Sequence, residues 1–343
     1  MVFDPTNTKC SKFNDFLNLL DSDDQDVLKK HAALCLTGDN PLQRILILDG
    51  LAKTGKTTYV NVVAKLLGPG KATPLRTKYL NDRFEVGQLK GKSLLIGPDV
   101  DANFLELEGA SILKALCGHD TLKGELKCGN ETFDVAGRFN IMIAANTRLK
   151  IRLQGDHEAW ERRLIIIRFE KTYSTEKRIF DLDDVLIKDE GSAILNWALS
   201  GIALLKKDLD QAKDIRLSAK QQKRVNSLVK ESEALRNFLK SEVCTRSGSN
   251  LSVDELVTAF TAYCQDKDRN WTVDSVRNVQ KDLEPLMMEL FSSSKSNSVK
   301  RQIQDEQKPG LLRDTEVKGY TGVAFRDPND EDDIRDAWDA YDA

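Results

Sequence analysis

An eight-residue segment between a short apolar run and an amphipathic run has the composition of a phosphate-binding loop. It reads Gly-Leu-Ala-Lys-Thr-Gly-Lys-Thr over residues 50–57 and fits the pattern G-x-x-x-x-G-K-[ST]. Its glycines let successive backbone N–H groups face an anion, and the following helix adds its positive end. We expect Lys56 to reach the β- and γ-phosphates of ATP and the Thr57 hydroxyl to help hold Mg²⁺. The predicted nucleotide-binding residues are Gly50, Lys53, Thr54, Gly55, Lys56, Thr57 and Thr58.

Two carboxylates, Asp99 and Asp101, follow the second apolar run of the chain, which spans residues 93–96. A carboxylate at the carboxyl end of a strand beside a phosphate loop is well placed to bind Mg²⁺. We therefore predict that Asp99 is a magnesium ligand together with Thr57. Asp101 is expected to hold a water molecule near the metal or to act as a base. The competing interpretation is a turn formed by Gly-Pro-Asp at 97–99.

Polar and basic side chains also flank the third and fourth apolar runs. Asn146 follows the run at 139–144, where a neutral amide can orient the attacking water or sense the terminal phosphate. The competing interpretation is a simple turn signal. Arg162 and Arg163 precede the run at 164–169, and an arginine in this position can neutralise charge on the phosphoryl group in a neighbouring subunit's site. A surface salt bridge is the alternative for either arginine.

The elements that must position these residues alternate between strand and helix patterns. Apolar runs at 44–48, 93–96, 139–144 and 164–169 are typical of buried parallel strands. Helical patterns lie between them, which predicts a three-layer α/β fold. The predicted organisation is an N-terminal helical segment (1–40), a P-loop ATPase core (41–205), a connecting helix (206–232), a C-terminal helical domain (233–326) and an acidic tail (327–343).

Charge is distributed unevenly along the chain. The net charge is −3, but residues 327–343 carry eight acidic residues and one arginine, a net of −7, which leaves −3 + 7 = +4 for residues 1–326. This asymmetry favours nucleic acid or a regulated partner. No apolar run approaches the roughly 20 residues needed to cross a bilayer, so we expect a cytoplasmic protein. Six cysteines without a Cys-x-x-Cys pair, and three scattered histidines, predict neither a zinc site nor a disulfide.

The ordered set of motifs resembles the superfamily 3 helicases, particularly the helicase half of phage and plasmid primase–helicases. The resemblance is carried by segments 36–40, 50–57 and 114–120, by Asn146, and by Trp-Glu-Arg-Arg at 160–163. It implies an AAA+-like core and a homo-hexameric ring with ATP bound between subunits. It further implies that Asn146 is the sensor and that Arg162 or Arg163 is the arginine finger.

The sequence departs from this family at the end of the second strand. Members often have adjacent acidic residues there, whereas this chain has Pro98-Asp99-Val100-Asp101. The identity of the catalytic base therefore stays open between the two aspartates.

The resemblance also points to DNA contacts. Strand-like runs on either side of Gly129-Asn130 predict a hairpin. In superfamily 3 rings a hairpin at this place projects into the central channel, and Lys123 and Lys127 are the matching basic positions here. Histidine 119 is a weaker candidate. Ordinary surface lysines on a solvated hairpin are the alternative interpretation.

The C-terminal helices, followed by two short strands near 299–303 and 319–325, match the order of a winged-helix domain. Its third helix would present Arg277 and Lys281 to the major groove. The acidic tail is interpreted either as a disordered solubilising segment or as a docking peptide for primase or another replication protein.

Taken together, the sequence predicts an ATP-dependent DNA helicase of phage or plasmid replication. It would move along single-stranded or forked DNA as a ring, in a bacterial cytosol or host cytoplasm. Two alternatives stay open: a P-loop switch or assembly ATPase, and an origin-binding replication protein without unwinding activity. RNA is a further possible track.

Overall fold

The chain folds as two compact units, Met1–Lys230 and Glu231–Ala343. The computed structural model describes residues 3–76, 79, 83–98, 100, 109–125, 132–146, 149, 157–172, 179–266, 276–304 and 312–327. For residues 83, 109–110, 276–278, 281, 302–304 and 312–314 it describes the backbone only.

The first unit alternates between strands and helices along the chain. No helix among its described residues, or among those of the second unit, is long and apolar enough to span a membrane. Its elements are α1 (Ser11–Leu17), α2 (Ser22–Thr37), β1 (Ile45–Asp49), α3 (Lys56–Leu67), β2 (Ala72–Pro74), α4 (Arg83–Gly87), β3 (Leu94–Gly97), α5 (Gly109–Cys117), β4 (Thr121–Glu125), β5 (Thr132–Ala136), β6 (Asn140–Ala145), α6 (His157–Glu161), β7 (Leu164–Arg168), α7 (Leu182–Ala212) and α8 (Ala219–Ser232).

Five strands form one parallel sheet in the order β2-β3-β6-β1-β7. Strand β1 lies between β6 and β7 and is buried along its length except at Asp49, which is partly exposed. Its side chains alternate, so that Ile45 and Ile47 enter one core and Leu46 and Leu48 enter the other. A parallel sheet buried on both faces explains the continuous apolar runs of the sequence. The prediction of an α/β fold with a parallel sheet is confirmed, and this sheet is consistent with a P-loop-like core.

Different helices cover the two faces of the sheet. The face of Ile45 packs against α5, α6 and α8, through residues that include Leu116, Trp160 and Leu228. The face of Leu46 packs against α1, α2, α3 and α7. The helix that begins with Lys56 therefore lies on the second face, together with the N-terminal helices.

Helix boundaries in this unit differ from the sequence-based expectation in two places. The predicted N-terminal helical segment (1–40) is divided between two helices, α1 and α2. The segment predicted as a connecting helix (206–232) corresponds to the end of α7 and to α8. The two helices are separated at Lys213, which adopts a left-handed conformation with φ 59° and donates its N–H to the carbonyl of Leu209. A backbone conformation of this kind ends a helix without glycine, so its sequence signal is weak.

The second unit combines helices with an antiparallel sheet of order β8-β10-β9. Ser252 and Glu255 form a capping box at the start of α10. Helices and sheet share a core that includes Phe238, Leu283 and Tyr320. The elements are α9 (Ala234–Glu242), β8 (Val243–Ser252), α10 (Val253–Gln265), α11 (Val276–Phe291), β9 (Lys295–Gln304) and β10 (Leu312–Phe325).

Strand β8 is the element of the second unit that the sequence analysis did not predict. Its sequence, VCTRSGSNLS, is mostly polar, and only its two ends are buried. Gly248 has φ 79° in the middle of the strand, and the pairing with β10 shifts register between Thr321 and Val323. A polar, bulged strand lacks the period-two apolar pattern on which strand prediction depends.

Candidate functional site: a phosphate-binding loop at the carboxyl edge of the sheet

The segment Gly50–Thr57 connects the carboxyl end of β1 to the first turn of α3. Three of its residues have positive φ angles: Gly50 (142°), Lys53 (66°) and Gly55 (98°). Gly50 also approaches a neighbouring strand, because a Cβ at this position would lie 2.1 Å from the carbonyl oxygen of Phe169. The loop therefore depends on glycine for both its conformation and its packing.

Lys56 folds back over this loop. Its Nζ donates to the carbonyls of Gly50 (2.7 Å) and Leu51 (2.6 Å) and lies 3.4 Å from the hydroxyl of Thr54. Thr54 donates in turn to the carbonyl of Leu51, at 2.8 Å. Lys56 is only 5% exposed. A cation held at the concave side of a glycine loop, with the N-terminus of a helix beside it, has the chemistry of an anion-binding site.

The threonines that follow have different surroundings. Thr57 is exposed in the first turn of α3, whereas Thr58 is half-buried. Asp99 and Asp101, the predicted carboxylates, lie outside the described residues. Val100 between them donates its N–H to the carbonyl of Ala144, at 3.0 Å.

Asn146 lies next to the loop. Strands β1 and β6 are parallel and pair Asp49 with Ala145, so the residues that follow, Gly50 and Asn146, leave the sheet side by side. Asn146 is exposed. The parallel register thus brings the predicted amide and the first loop glycine to one edge, as the order of motifs led us to expect.

An ion pair beside the loop was not predicted. Asp49, the last residue of β1, and Arg168, the last residue of β7, are partners in the parallel register, and Nε of Arg168 lies 3.5 Å from Oδ2 of Asp49. Both line a cleft with Ile47, Ile166 and Arg224. Asp49 follows the run predicted as a strand at 44–48, and Arg168 lies near the end of the run at 164–169, but the sequence does not give the register that pairs them.

The two predicted arginines lie at the opposite, amino edge of the sheet. Arg163 immediately precedes β7 and accepts a hydrogen bond from the N–H of Ile45 through its carbonyl. Its side chain is buried and donates to the carbonyl of Ala159 at 2.8 Å and to the side chain of Gln43 at 3.5 Å. Arg162 is exposed. The structure therefore distinguishes the exposed Arg162 from the buried Arg163, which the sequence alone did not.

The amino edge is held together by the segment at 36–40 that contributed to the family resemblance. Asn40 is fully buried and donates from Nδ2 to the carbonyls of Arg44 and Phe139, both at 2.9 Å. Nε2 of His119 lies 3.0 Å from the carbonyl of Asn40. These contacts give Asn40 and His119 a structural role at this edge.

The predicted hairpin is formed by β4 and β5, which pair antiparallel. Lys123 is exposed on β4 and forms a cross-strand ion pair with Asp134, at 2.5 Å. Its charge is therefore partly compensated within the hairpin. Lys127 lies outside the described residues. Arg277 and Lys281 lie on α11 of the second unit, where only their backbone is described.

Comparisons with known proteins give one family match and several loose structural ones. The model of a family described as "Family of unknown function (DUF5906)" matches residues 48–163, about a third of the chain. The matched range includes the phosphate-binding loop, Asn146 and both arginines. No curated protein matches the sequence.

Among solved structures, the apo structure of the NrS-1 C-terminal region (305–718) is similar with a TM-score of 0.49 and 14% identity. The match covers 92% of this chain and 77% of that one. The X-ray structure of JCV helicase is similar with a TM-score of 0.36 and 16% identity, over 60% of this chain and 59% of that one. With TM-scores below 0.5, these likenesses establish neither the fold nor the function of this chain.

Proposed function

We propose that this chain is an ATP-hydrolysing motor of DNA replication, a ring-forming helicase. The observation that carries the proposal is the loop Gly50–Thr57. Lys56 lies over this loop, which has positive φ angles at Gly50 and Gly55, and Asn146 lies next to it at the same sheet edge. Backbone N–H groups of the loop, the start of α3 and the Lys56 ammonium would together bind the phosphates of ATP.

We propose that Mg²⁺ binds at this loop. Thr57 would hold it through its exposed hydroxyl, and Asp99 would supply the carboxylate ligand. When bound, Mg²⁺ neutralises charge that develops on the phosphates. Asn146 would orient the attacking water from the end of β6. Asp99 or Asp101 would accept its proton.

Arg162 is the residue that argues for an assembly of several copies. It lies six residues before Arg168, so the length of β7 separates it from the carboxyl edge by about 20 Å at the usual rise per strand residue. An exposed arginine at that distance cannot serve its own loop. We propose that it acts as a finger in the loop of a neighbouring copy, while Arg163 holds the base of that finger in place. A ring in which every copy both gives and receives an arginine is the simplest closed arrangement.

DNA contact is proposed at two places. The β4–β5 hairpin would carry Lys123 and Lys127 to single-stranded DNA in the channel of the ring, through phosphate contacts that are independent of sequence. We propose that the second unit is a winged-helix domain, because its elements follow in the order helix, strand, two helices and two strands, with the first strand beside the last. This order supports a role for α11 as the groove-binding helix, with Arg277 and Lys281 as its basic residues.

The acidic tail (327–343) would bind a basic surface of another replication protein, such as a primase. The alternative functions remain a switch or assembly ATPase that does not unwind DNA, and an origin-binding protein that uses nucleotide only for assembly. RNA as the track is a variant of the same motor.

The decisive experiment measures ATP hydrolysis and strand separation with and without single-stranded DNA. The proteins are the wild type, Lys56→Ala, Arg162→Ala and an equimolar mixture of the two variants. Lys65→Ala serves as the control, because Lys65 is in the last turn of α3 and pairs with Asp183 and Asp184 instead of facing the loop. We expect single-stranded DNA to stimulate ATP hydrolysis by the wild type. Lys56→Ala and Arg162→Ala should each lose this activity, and their equimolar mixture should partly regain it.

Other outcomes identify the alternatives. Turnover that is indifferent to DNA, without strand separation, favours the switch or assembly ATPase. Tight ATP binding without release of phosphate favours the origin-binding protein. Stimulation by single-stranded RNA but not DNA would mean that the protein is a motor that moves along RNA.

A further inference from the structure

A short N-terminal helix lies directly against the phosphate-binding loop. An ideal Cβ built on Gly55 would lie 2.5 Å from Cε2 and 3.2 Å from Cζ of Phe16, which belongs to α1. Phe16 is 1% exposed. Its ring therefore occupies the space beside the Cα of the residue that immediately precedes Lys56.

Gly55 is the N-cap residue of α3 and immediately precedes Lys56. It adopts φ 98° and caps the helix without a side-chain hydrogen bond. The N–H groups that follow it belong to the helix start, where anions bind. The direction of these N–H groups depends on where the Gly55 peptide lies, and the ring of Phe16 limits that position from one side.

Helix α1 cannot hold this position by itself. It has seven residues, fewer than an isolated helix needs, and its N-cap residue Cys10 makes no side-chain cap. The cap comes from α7 instead. The carboxylate of Glu190 accepts hydrogen bonds from the backbone N–H groups of Lys12 (3.0 Å) and Phe13 (2.9 Å) and from the hydroxyl of Ser11 (3.3 Å).

Two more contacts join α1 to α7. Lys12 pairs with Asp189 at 2.6 Å, and Phe13 packs edge-to-face on Trp197 with ring centroids 4.9 Å apart. Glu190 itself is almost fully buried. The long helix α7 thus supplies the cap, an ion pair and an aromatic contact that fix the short helix.

We propose that Phe16 is a positioning residue for nucleotide binding, and that Glu190 sets its position by capping α1 from α7. The inference rests on the proposed function, because it assumes that ATP binds to this loop. It adds an element, α1, that the loop motif does not contain. Displacement of the reacting groups by about 1 Å can cost about 10²-fold in activity. A loop that loses its contact with the Phe16 ring should therefore bind phosphate more weakly.

The test is a titration of each protein with a fluorescent ATP analogue and Mg²⁺, together with thermal unfolding. Phe16→Leu keeps an apolar side chain but removes the ring edge that faces Gly55. Phe13→Leu is the matched control on the same helix, equally buried and in contact with Trp197. We expect about a ten-fold weaker affinity for Phe16→Leu, on the scale of small misplacements. The ring of Phe13 packs on Phe16 with centroids 6.1 Å apart but does not face Gly55, so Phe13→Leu should weaken affinity much less, with a similar loss of melting temperature.

A second pair of variants tests the cap without changing the core. Glu190→Gln keeps one acceptor and loses the other, so we expect a smaller fall in affinity in the same direction. Asp189→Asn, which removes only the exposed pair with Lys12, should leave affinity unchanged. This pair also decides the matter if Phe16→Leu fails to fold.

The outcomes separate the two proposals. No binding of the analogue by the wild type overturns the proposed function, and the inference with it. Binding by the wild type with equal affinities in Phe16→Leu and Phe13→Leu, or in Glu190→Gln and Asp189→Asn, overturns the inference alone. Phe16 would then be an ordinary core residue.

Discussion

The two edges of the parallel sheet are built in different ways. At the carboxyl edge, backbone conformation makes the site: positive φ angles at Gly50 and Gly55 shape a loop over which Lys56 folds. At the amino edge, side-chain hydrogen bonds join the segments of the structure. Asn40 and Arg163 are buried there and use their polar groups to tie neighbouring segments together, which leaves Arg162 exposed beside them.

This difference decides what each edge can tolerate. A loop made by the backbone fails when a side chain is added to it. An edge made by side chains responds according to which side chain is removed, since a buried arginine supports the fold and an exposed one is available to a partner. Three changes test this contrast.

The largest effect is expected at the exposed arginine of the amino edge. Arg162→Ala should lower DNA-stimulated ATP turnover by about 10³-fold, the scale on which an arginine finger acts. The free energy of unfolding should change by no more than about 0.5 kcal/mol, as for other surface positions. Steady-state phosphate release and urea unfolding measure the two quantities.

Arg138→Ala is the control for this variant. Arg138 lies two residues before β6, at the same edge, and is exposed in a pair with Asp39. It should keep full turnover. If both variants lose activity equally, or neither does, Arg162 is not a finger, and the argument for an interface between copies at this edge fails.

The next effect is expected at the first glycine of the loop. Gly50→Ala brings a Cβ to 2.1 Å from the carbonyl of Phe169, so the loop or β7 must move. We expect nucleotide affinity to fall by about 10²-fold, because the phosphate-binding groups are displaced. Equilibrium titration with a fluorescent ATP analogue measures it.

Gly68→Ala distinguishes the effect of backbone strain from the effect of the steric clash with Phe169. Gly68 ends α3 with φ 84° and has open space around it. An alanine there should cost stability, about 1–3 kcal/mol for an extended conformation with positive φ that few residues besides glycine adopt, and leave affinity unchanged. Equal affinities for Gly50→Ala and Gly68→Ala would mean that the loop does not depend on its packing against Phe169.

The contrast between the edges also explains what the sequence could reveal. The loop was predicted residue by residue, because its conformation requires glycines at fixed spacing and those leave a pattern. The parallel strands were predicted from their apolar runs, and Asn146 followed from its place at a strand end. The Asp49–Arg168 pair needed the register between β1 and β7, which apolar runs do not specify.

The arginines mark the limit of such reasoning. Arg162 and Arg163 are adjacent and identical in type, and only the turn between α6 and β7 decides which one is buried. The contact of Phe16 with Gly55 joins residues 39 positions apart and has no local pattern. Strand β8 was missed because its polar sequence does not alternate.

The smallest and most local effect is expected at the buried arginine. Arg163→Ala removes hydrogen bonds to Ala159 and Gln43 and should lower the free energy of unfolding by about 2 kcal/mol, the scale of a buried polar group left without its partner. Nucleotide affinity should not change, since the loop lies at the other edge.

The reactivity of the Cys117 thiol gives a second measurement of the surroundings of Arg163. It is buried beside Arg163, and burial raises the pKa of its thiol to about 11, so very little thiolate is present near neutral pH. The Arg163 guanidinium partly offsets this effect, because its charge and hydrogen bond favour the thiolate. Its loss should therefore raise the pKa of the thiol further, which makes alkylation of Cys117 slower in Arg163→Ala than in the wild type. Mass spectrometry of the alkylated protein identifies the residue. If Cys117 reacts at the wild-type rate while turnover falls as in Arg162→Ala, then Arg163 is the finger, and the assignment of roles at the amino edge must be reversed.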